Sequence, residues 1–95
     1  MRLSEEAIRT LREETVRLDP RAEIYLYGSR TDDTARGGDI DLLVVSDTLG
    51  FRDISHLRRA ILDRIGWQQL DLAVRRRDQL EEPLAAMARS MGVRL

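Results

Sequence analysis

Residues 38–45 read Gly-Asp-Ile-Asp-Leu-Leu-Val-Val, and this stretch, which follows the Gly-Ser-Arg of residues 28–30 after a short loop, decides the fold. Its second half is a continuous apolar run, which is typical of a central strand with both faces covered. Its first half carries two carboxylates. Alternate side chains of a strand share a face, so we expect Asp39 and Asp41 to point to the same side. The pattern therefore predicts a central strand with two acidic residues at its N-terminal end.

Two like charges at one spot are costly unless a cation lies between them. At an effective dielectric constant near 20, unit charges about 4 Å apart repel by roughly 4 kcal/mol, a large part of the ~5–15 kcal/mol that stabilises a small domain. A divalent cation would turn that repulsion into affinity, and Mg²⁺ prefers a few carboxylates together with phosphate oxygens. Asp71, in a later predicted strand, is the third acid of interest. These acids predict a site for two Mg²⁺ ions and a nucleoside triphosphate.

Composition narrows the classes of protein that the chain can belong to. The 95 residues carry a formal net charge of -1 and no cysteine. This length predicts a single domain over residues 1–95, and the balanced charge argues against strong nonspecific binding to DNA. The lack of cysteine excludes disulfides, thiolate metal sites and cysteine nucleophiles. We find neither a signal-peptide pattern nor a long apolar span, so we expect a cytoplasmic protein that does not enter a membrane.

Hydrophobic periodicity and capping signals predict alternating helices and strands. Helices are predicted over residues 4–18, 54–65 and 83–91, and strands over residues 22–27, 39–45 and 69–74. Ser4 is the expected N-cap of the first helix, and Pro83 the first residue of the last. Residues 93–95 are left as a tail or short extension. This order predicts an α/β (α+β) fold: a small mixed sheet of about three to four strands, with helices on one face and the acidic face open.

The ordered motifs resemble a known family. A strand that ends in Gly-Ser, a loop, an Asp-x-Asp that opens the next strand and an Asp in a later strand are similar to a minimal nucleotidyltransferase of the DNA polymerase beta superfamily. The resemblance implies the polymerase-beta-type fold. It also implies that the metal-binding and catalytic carboxylates are Asp39, Asp41 and Asp71, and that the nucleotide-binding residues are Gly28, Ser29, Arg30 and Gly38.

The resemblance also implies a partner and a substrate. Many small members of this family resemble the antitoxin of a helical HEPN ribonuclease toxin. In such pairs the nucleotidyltransferase can neutralise the toxin by transferring AMP from ATP to one of its tyrosines, in some cases together with direct binding. Three alternatives stay open: neutralisation mainly by direct binding, transfer to RNA, and transfer to a small molecule. A homo-oligomer is compatible with each of them. A phosphatase that uses an Asp-x-Asp nucleophile is disfavoured, because its acids follow a strand whereas Asp39 and Asp41 precede the apolar run.

The remaining conspicuous side chains have ordinary structural interpretations. Tyr25, Tyr27 and Trp67 are expected to pack in the core or on the sheet rather than to stack on a base. His56, the sole histidine, is expected to be solvated on a helix surface. The arginines of residues 75–77 are expected to form a solvated loop, although nucleotide phosphate, RNA or an acidic partner could also meet them.

Overall fold

A computed structural model describes residues 3–28 and 39–95 of the chain. The expectations for Ser29, Arg30 and Gly38 lie outside the described residues. In chain order the elements are α1 (Glu5–Leu18), β1 (Glu23–Tyr27), β2 (Ile40–Val45), α2 (Phe51–Ile65), β3 (Leu70–Arg75), a 3-10 turn (Arg77–Gln79), α3 (Pro83–Met91) and β4 (Val93–Arg94). The predicted elements are confirmed within a few residues at each end, and the expected C-terminal tail forms a fourth short strand.

The strands form one mixed sheet in the order β3-β2-β1-β4. β2 pairs in parallel with β3 and antiparallel with β1, and β4 pairs antiparallel with β1. Residues 42–45 of β2 are all fully buried. The apolar run therefore belongs to a strand covered on both faces, as its sequence predicted.

The helix ends follow the local signals of the sequence. Ser4 caps α1, because its Oγ accepts a hydrogen bond from the backbone N–H of Ala7 at 3.0 Å. Pro83 occupies the first turn of α3, where its missing N–H costs nothing, and the carboxylate of Glu82 accepts the N–H of Ala85 at 3.1 Å. Gly66 ends α2 with a φ of 87°. Each of these helix ends is therefore determined by a few residues that are neighbours in the sequence.

Helices α1 and α2 cover one face of the sheet, whereas α3 covers part of the other. The larger core cluster lies on the first face and comprises Leu11, Ile24, Leu26, Ile40, Leu42, Val44, Leu57, Ile61 and Leu70. On the second face Ala85 and Ala88 of α3 pack on Tyr25, Leu43 and Val45. The expectation that the helices share one face is thus wrong for α3. Leu43 and Val45 lie on the same face as Asp41, and these apolar side chains are buried by α3.

The expectation that Trp67 packs in the core or on the sheet is wrong. Trp67 is 81% exposed, because it follows the glycine that ends α2 and lies outside the apolar stripe of that helix. Tyr25 is buried and His56 is exposed, as predicted. The arginines of residues 75–77 each form an ion pair, and Arg76 is exposed to solvent as predicted, whereas Arg75 belongs to β3 and Arg77 to the 3-10 turn. The pairs are Arg75 with Glu82 at 3.1 Å, Arg76 with Asp78 at 3.1 Å and Arg77 with Asp47 at 3.2 Å. No helix within residues 3–28 and 39–95 is long and apolar enough to cross a membrane.

Candidate active site

The register of two parallel strands brings two acids together. Asp41 of β2 lies opposite Asp71 of β3. Side chains at paired positions of neighbouring strands point to the same face, so both carboxyl groups project from the face that α3 covers only in part. Asp41 is half-buried and Asp71 is exposed. The acidic end of this face is therefore open to a ligand.

The environment of Asp41 disfavours its negative charge. Burial raises the pKa of the Asp41 carboxyl, and the hydrogen bond and charge of Asp71 and the charge of Asp39 raise it further. Two facing carboxylates of this kind form an all-oxygen donor set with excess negative charge. Mg²⁺ uses one or two carboxylates and takes its other oxygens from phosphates and water. The donor set fits a magnesium ion.

Gly28 lies directly against Asp41. It follows the last residue of β1, has a φ of 78°, and lies so close that a Cβ built on it would be 2.2 Å from the Asp41 Oδ2 atom. A φ in this region is strained for any residue with a side chain. Both the conformation and the contact therefore require glycine, and the backbone of residue 28 borders the carboxylate pair.

Asp39 is near the pair without completing a third ligand position. It precedes the first residue of β2 and is exposed. Its charge nevertheless raises the pKa of Asp41. Within the described parts of the chain, no group of three or more acidic, histidine or cysteine side chains is arranged to hold a metal ion. The structure thus brings together two of the three predicted carboxylates, Asp41 and Asp71, and the third, Asp39, affects Asp41 through its charge.

Two neighbours of the acids were missed as parts of the site. Tyr27 lies opposite Asp41 in the antiparallel register of β1 and β2, and burial together with the charges of Asp41 and Asp71 raises its pKa. The amide of Gln69 donates a hydrogen bond to Asp71 at 3.3 Å. Their positions beside Gly28 and Asp71 in the sequence were the available signals. Only the pairing of strands shows that Tyr27 belongs to the same row as the acids.

Comparison with known protein families identifies the fold to which this site belongs. The sequence model described as "Nucleotidyltransferase domain" matches residues 8–88 of the 95-residue chain. The match spans β1, β2 and β3 and includes Gly28, Asp39, Asp41 and Asp71. A search of curated proteins found no match. The four strands of the mixed sheet and the three α-helices found over residues 3–28 and 39–95 agree with a polymerase-beta-type arrangement. The chain belongs to the family of nucleotidyltransferase domains.

Proposed function

We propose that residues 1–95 form a minimal Mg²⁺-dependent nucleotidyltransferase that transfers AMP from ATP to a hydroxyl group. The observation that carries the proposal is the pair of facing carboxylates, Asp41 and Asp71, held in register against Gly28 in a chain of this family. Nucleotidyl transfer needs charge neutralisation and in-line positioning more than covalent chemistry. A half-buried acid and an exposed acid that face each other at the open end of the sheet suit that need.

The proposed roles follow from the chemistry of each side chain. Asp41 and Asp71 would hold Mg²⁺ together with Asp39, in a site for two ions. The metal would neutralise charge on the phosphates and on the attacking and leaving oxygens. The acceptor oxygen would bond to the α-phosphorus while the bond to pyrophosphate breaks, and an Asp71 carboxylate oxygen would take the acceptor proton. The absence of a side chain at Gly28 leaves room for the Asp41 carboxylate, which the metal would bind.

The rest of the nucleotide site is proposed from the resemblance alone. Ser29, Arg30 and Gly38 match the phosphate-loop positions of minimal nucleotidyltransferases. Hydroxyl, guanidinium and backbone N–H groups are the donors that bind phosphate oxygens in proteins. We therefore assign these three residues to the leaving phosphates.

The proposed acceptor is a tyrosine of a HEPN-type helical toxin, which makes the chain an antitoxin. The resemblance of its motifs to those of minimal nucleotidyltransferases supports this extension, and the open acidic end of the sheet leaves a protein side chain access to the carboxylates. A phenolic hydroxyl is a suitable acceptor because it needs only one proton removed as the new bond forms.

Neutralisation by direct binding is the second candidate, and a specific observation favours it. Three large apolar side chains of the described residues are strongly exposed: Phe51 at 84%, Trp67 at 81% and Met91 at 76%. Exposed aromatic side chains and methionine are enriched in protein interfaces. A toxin held through such contacts would be blocked without any transfer of AMP.

The test is transfer of label from α-labelled ATP, with Mg²⁺, onto the helical protein that co-purifies with this chain. We expect label on a partner tyrosine with the wild-type chain and none with Asp41→Asn. The matched control is Asp63→Asn, which removes the same charge from an exposed position of α2. Equal labelling by wild type and Asp41→Asn would refute the proposal. A tight complex that forms without ATP and is never labelled would favour neutralisation by binding.

A further inference from the structure

The only tryptophan of the chain is exposed on a short loop. Trp67 lies between α2 and β3, immediately after Gly66, and 81% of its surface is accessible. Gly66 has a φ of 87° and a ψ of 165°, a conformation that is essentially restricted to glycine. The chain thus turns sharply out of α2 at the residue before the indole. A large aromatic surface presented in this way is available to a ligand.

This loop lies at the end of the sheet where β2 and β3 begin, which is also the end that carries Asp41 and Asp71. β2 and β3 are parallel, so both begin at the same edge, and the N–H of Ile40 donates to the carbonyl of Gln69 at 2.9 Å. Gln69 also donates to Asp71. Trp67 precedes Asp71 by four residues, which span at most about 14 Å of extended chain. A nucleotide whose phosphates bind at the carboxylates is long enough to bring its base to the indole.

We propose that Trp67 is the stacking surface for the base of the nucleoside triphosphate. This inference rests on the proposed function, because it requires a nucleotide at Asp41 and Asp71. Stacking uses the π-face that every base has, and its strength grows with the area of overlap. The site therefore accepts any base and binds purine nucleotides more tightly than pyrimidine nucleotides.

Phe51 provides the contrast that makes position the decisive feature. It is 84% exposed and aromatic, but it begins α2 whereas Trp67 follows the end of that helix. Fifteen residues of helix separate the two ends by about 22 Å. Phe51 has the same chemistry as Trp67 at the wrong end of the helix for contact with the base.

The experiment uses the tryptophan fluorescence of the full chain, excited at a wavelength that tyrosine does not absorb, so that it reports on Trp67 and not on the two tyrosines. ATP, CTP and tripolyphosphate are titrated in the presence of Mg²⁺, and binding is measured independently by calorimetry. We expect ATP to change the indole emission with the midpoint that calorimetry gives, CTP to do so at higher concentration, and tripolyphosphate to bind without changing the emission. Tripolyphosphate separates stacking from the general effect of phosphate binding.

Variants test the energetic contribution of the indole. Trp67→Ala is expected to weaken ATP binding about tenfold or more and to leave tripolyphosphate binding unchanged, and Trp67→Phe is expected to restore most of the loss. Phe51→Ala, the matched control, should bind ATP as the wild type does. Trp67 is exposed, so its replacement leaves the core intact.

Two outcomes would overturn the inference, and they differ for the proposed function. If ATP binds by calorimetry while the emission is unchanged and Trp67→Ala binds equally well, Trp67 does not stack on the base and the proposed function stands. If neither ATP nor tripolyphosphate binds to the wild-type chain, the inference fails together with the proposed function.

Discussion

Two carboxylates lie beside the two ends of β2 in opposite environments. Asp19 ends α1 and contacts Ser46, which follows β2, whereas Asp41 lies near the start of β2. Where the strand ends, the buried Asp19 accepts the hydroxyl of Ser46 at 2.6 Å and the N–H of Arg21 at 2.9 Å. Where the strand begins, Asp41 faces Asp71 across the parallel pair. Hydrogen-bond donors contact Asp19, whereas another acid faces Asp41. Burial alone therefore does not distinguish a structural carboxylate from a functional one.

The pKa values of the two acids record this difference. The hydrogen bond from Ser46 is the largest cause that lowers the pKa of Asp19, against the opposing effect of burial. Burial raises the pKa of Asp41, and its acidic neighbours raise it further. Ionised Asp19 consequently stabilises the fold, whereas ionised Asp41 destabilises it. A bound cation would restore the free energy lost at Asp41, which supports the proposal that the site lies where β2 begins.

The largest expected effect comes from removing the charge of Asp41, at the end of the sheet where β2 begins. Asp41→Asn should lower label transfer by about a thousandfold or more, because it removes a charge that the transition state needs. The free energy of unfolding should stay equal or rise, because the repulsion with Asp71 is relieved. Transfer assays and urea unfolding measure the two quantities. A marked loss of stability would instead place Asp41 with Asp19 as a structural group.

The next effect concerns the backbone that borders Asp41. Gly28→Ala places a Cβ at 2.2 Å from the Asp41 Oδ2 atom and strains a φ of 78°, so it should lower both stability and transfer. Gly66→Ala is the matched variant for stability: its φ is 87°, but nothing lies within 4 Å of the added Cβ. Strain alone should cost about 1–3 kcal/mol there. Equal costs in the two variants, measured by urea unfolding, would show that contact with Asp41 is unimportant.

A smaller effect is expected at the opposite end of the strand. Ser46→Ala removes the donor to Asp19 and the acceptor of the N–H groups of Thr48 and Leu49, both at 3.2 Å. The loss in unfolding free energy should be about 1.5–3 kcal/mol, with transfer per folded molecule unchanged. Ser55→Ala, at an exposed position of α2, should change stability by less than about 0.5 kcal/mol. Reduced transfer by folded Ser46→Ala would show that the two ends are coupled.

The smallest effect is the acid dependence of the structural end. A carboxyl with a lowered pKa contributes stability that is complete above its ordinary value, 3.8 for Asp19, and is lost as the pH falls through the lowered value. The stability difference between wild type and Ser46→Ala should therefore be constant from pH 7 to about pH 5 and shrink below about pH 4. Urea unfolding across this range measures it, and a difference that grows in acid would contradict the assignment.

Local signals in the sequence were sufficient for every α-helix and strand except β4, and for the chemistry of the acids. The apolar residues 42–45 predicted a central strand, and Ser4, Gly66 and Pro83 marked the helix ends where they occur. Each signal acts within a few residues, through strand alternation, capping or a restricted φ. The expected roles of the acids need only the known chemistry of carboxylates, and they remain predictions.

Contacts between distant residues were beyond those signals. Nothing local shows that α3 covers the face that also carries Asp41, or that Trp67 is left in solvent. The role of Asp19 was likewise hidden, because its partner Ser46 is 27 residues away. These outcomes depend on which surfaces meet when the elements pack, and many packings satisfy the same local pattern.

The sequence by itself determined the kinds of residue at the site and the elements that carry them. These are two acids at the start of β2, a glycine after β1 and an acid in β3. Only the tertiary structure decided that Asp41 meets Asp71 and borders Gly28, and that the charge of Asp39 raises the pKa of Asp41. The physical reason is strand register. A shift of one residue would turn either acid to the opposite face, and only the packing of the whole sheet selects the register that joins them.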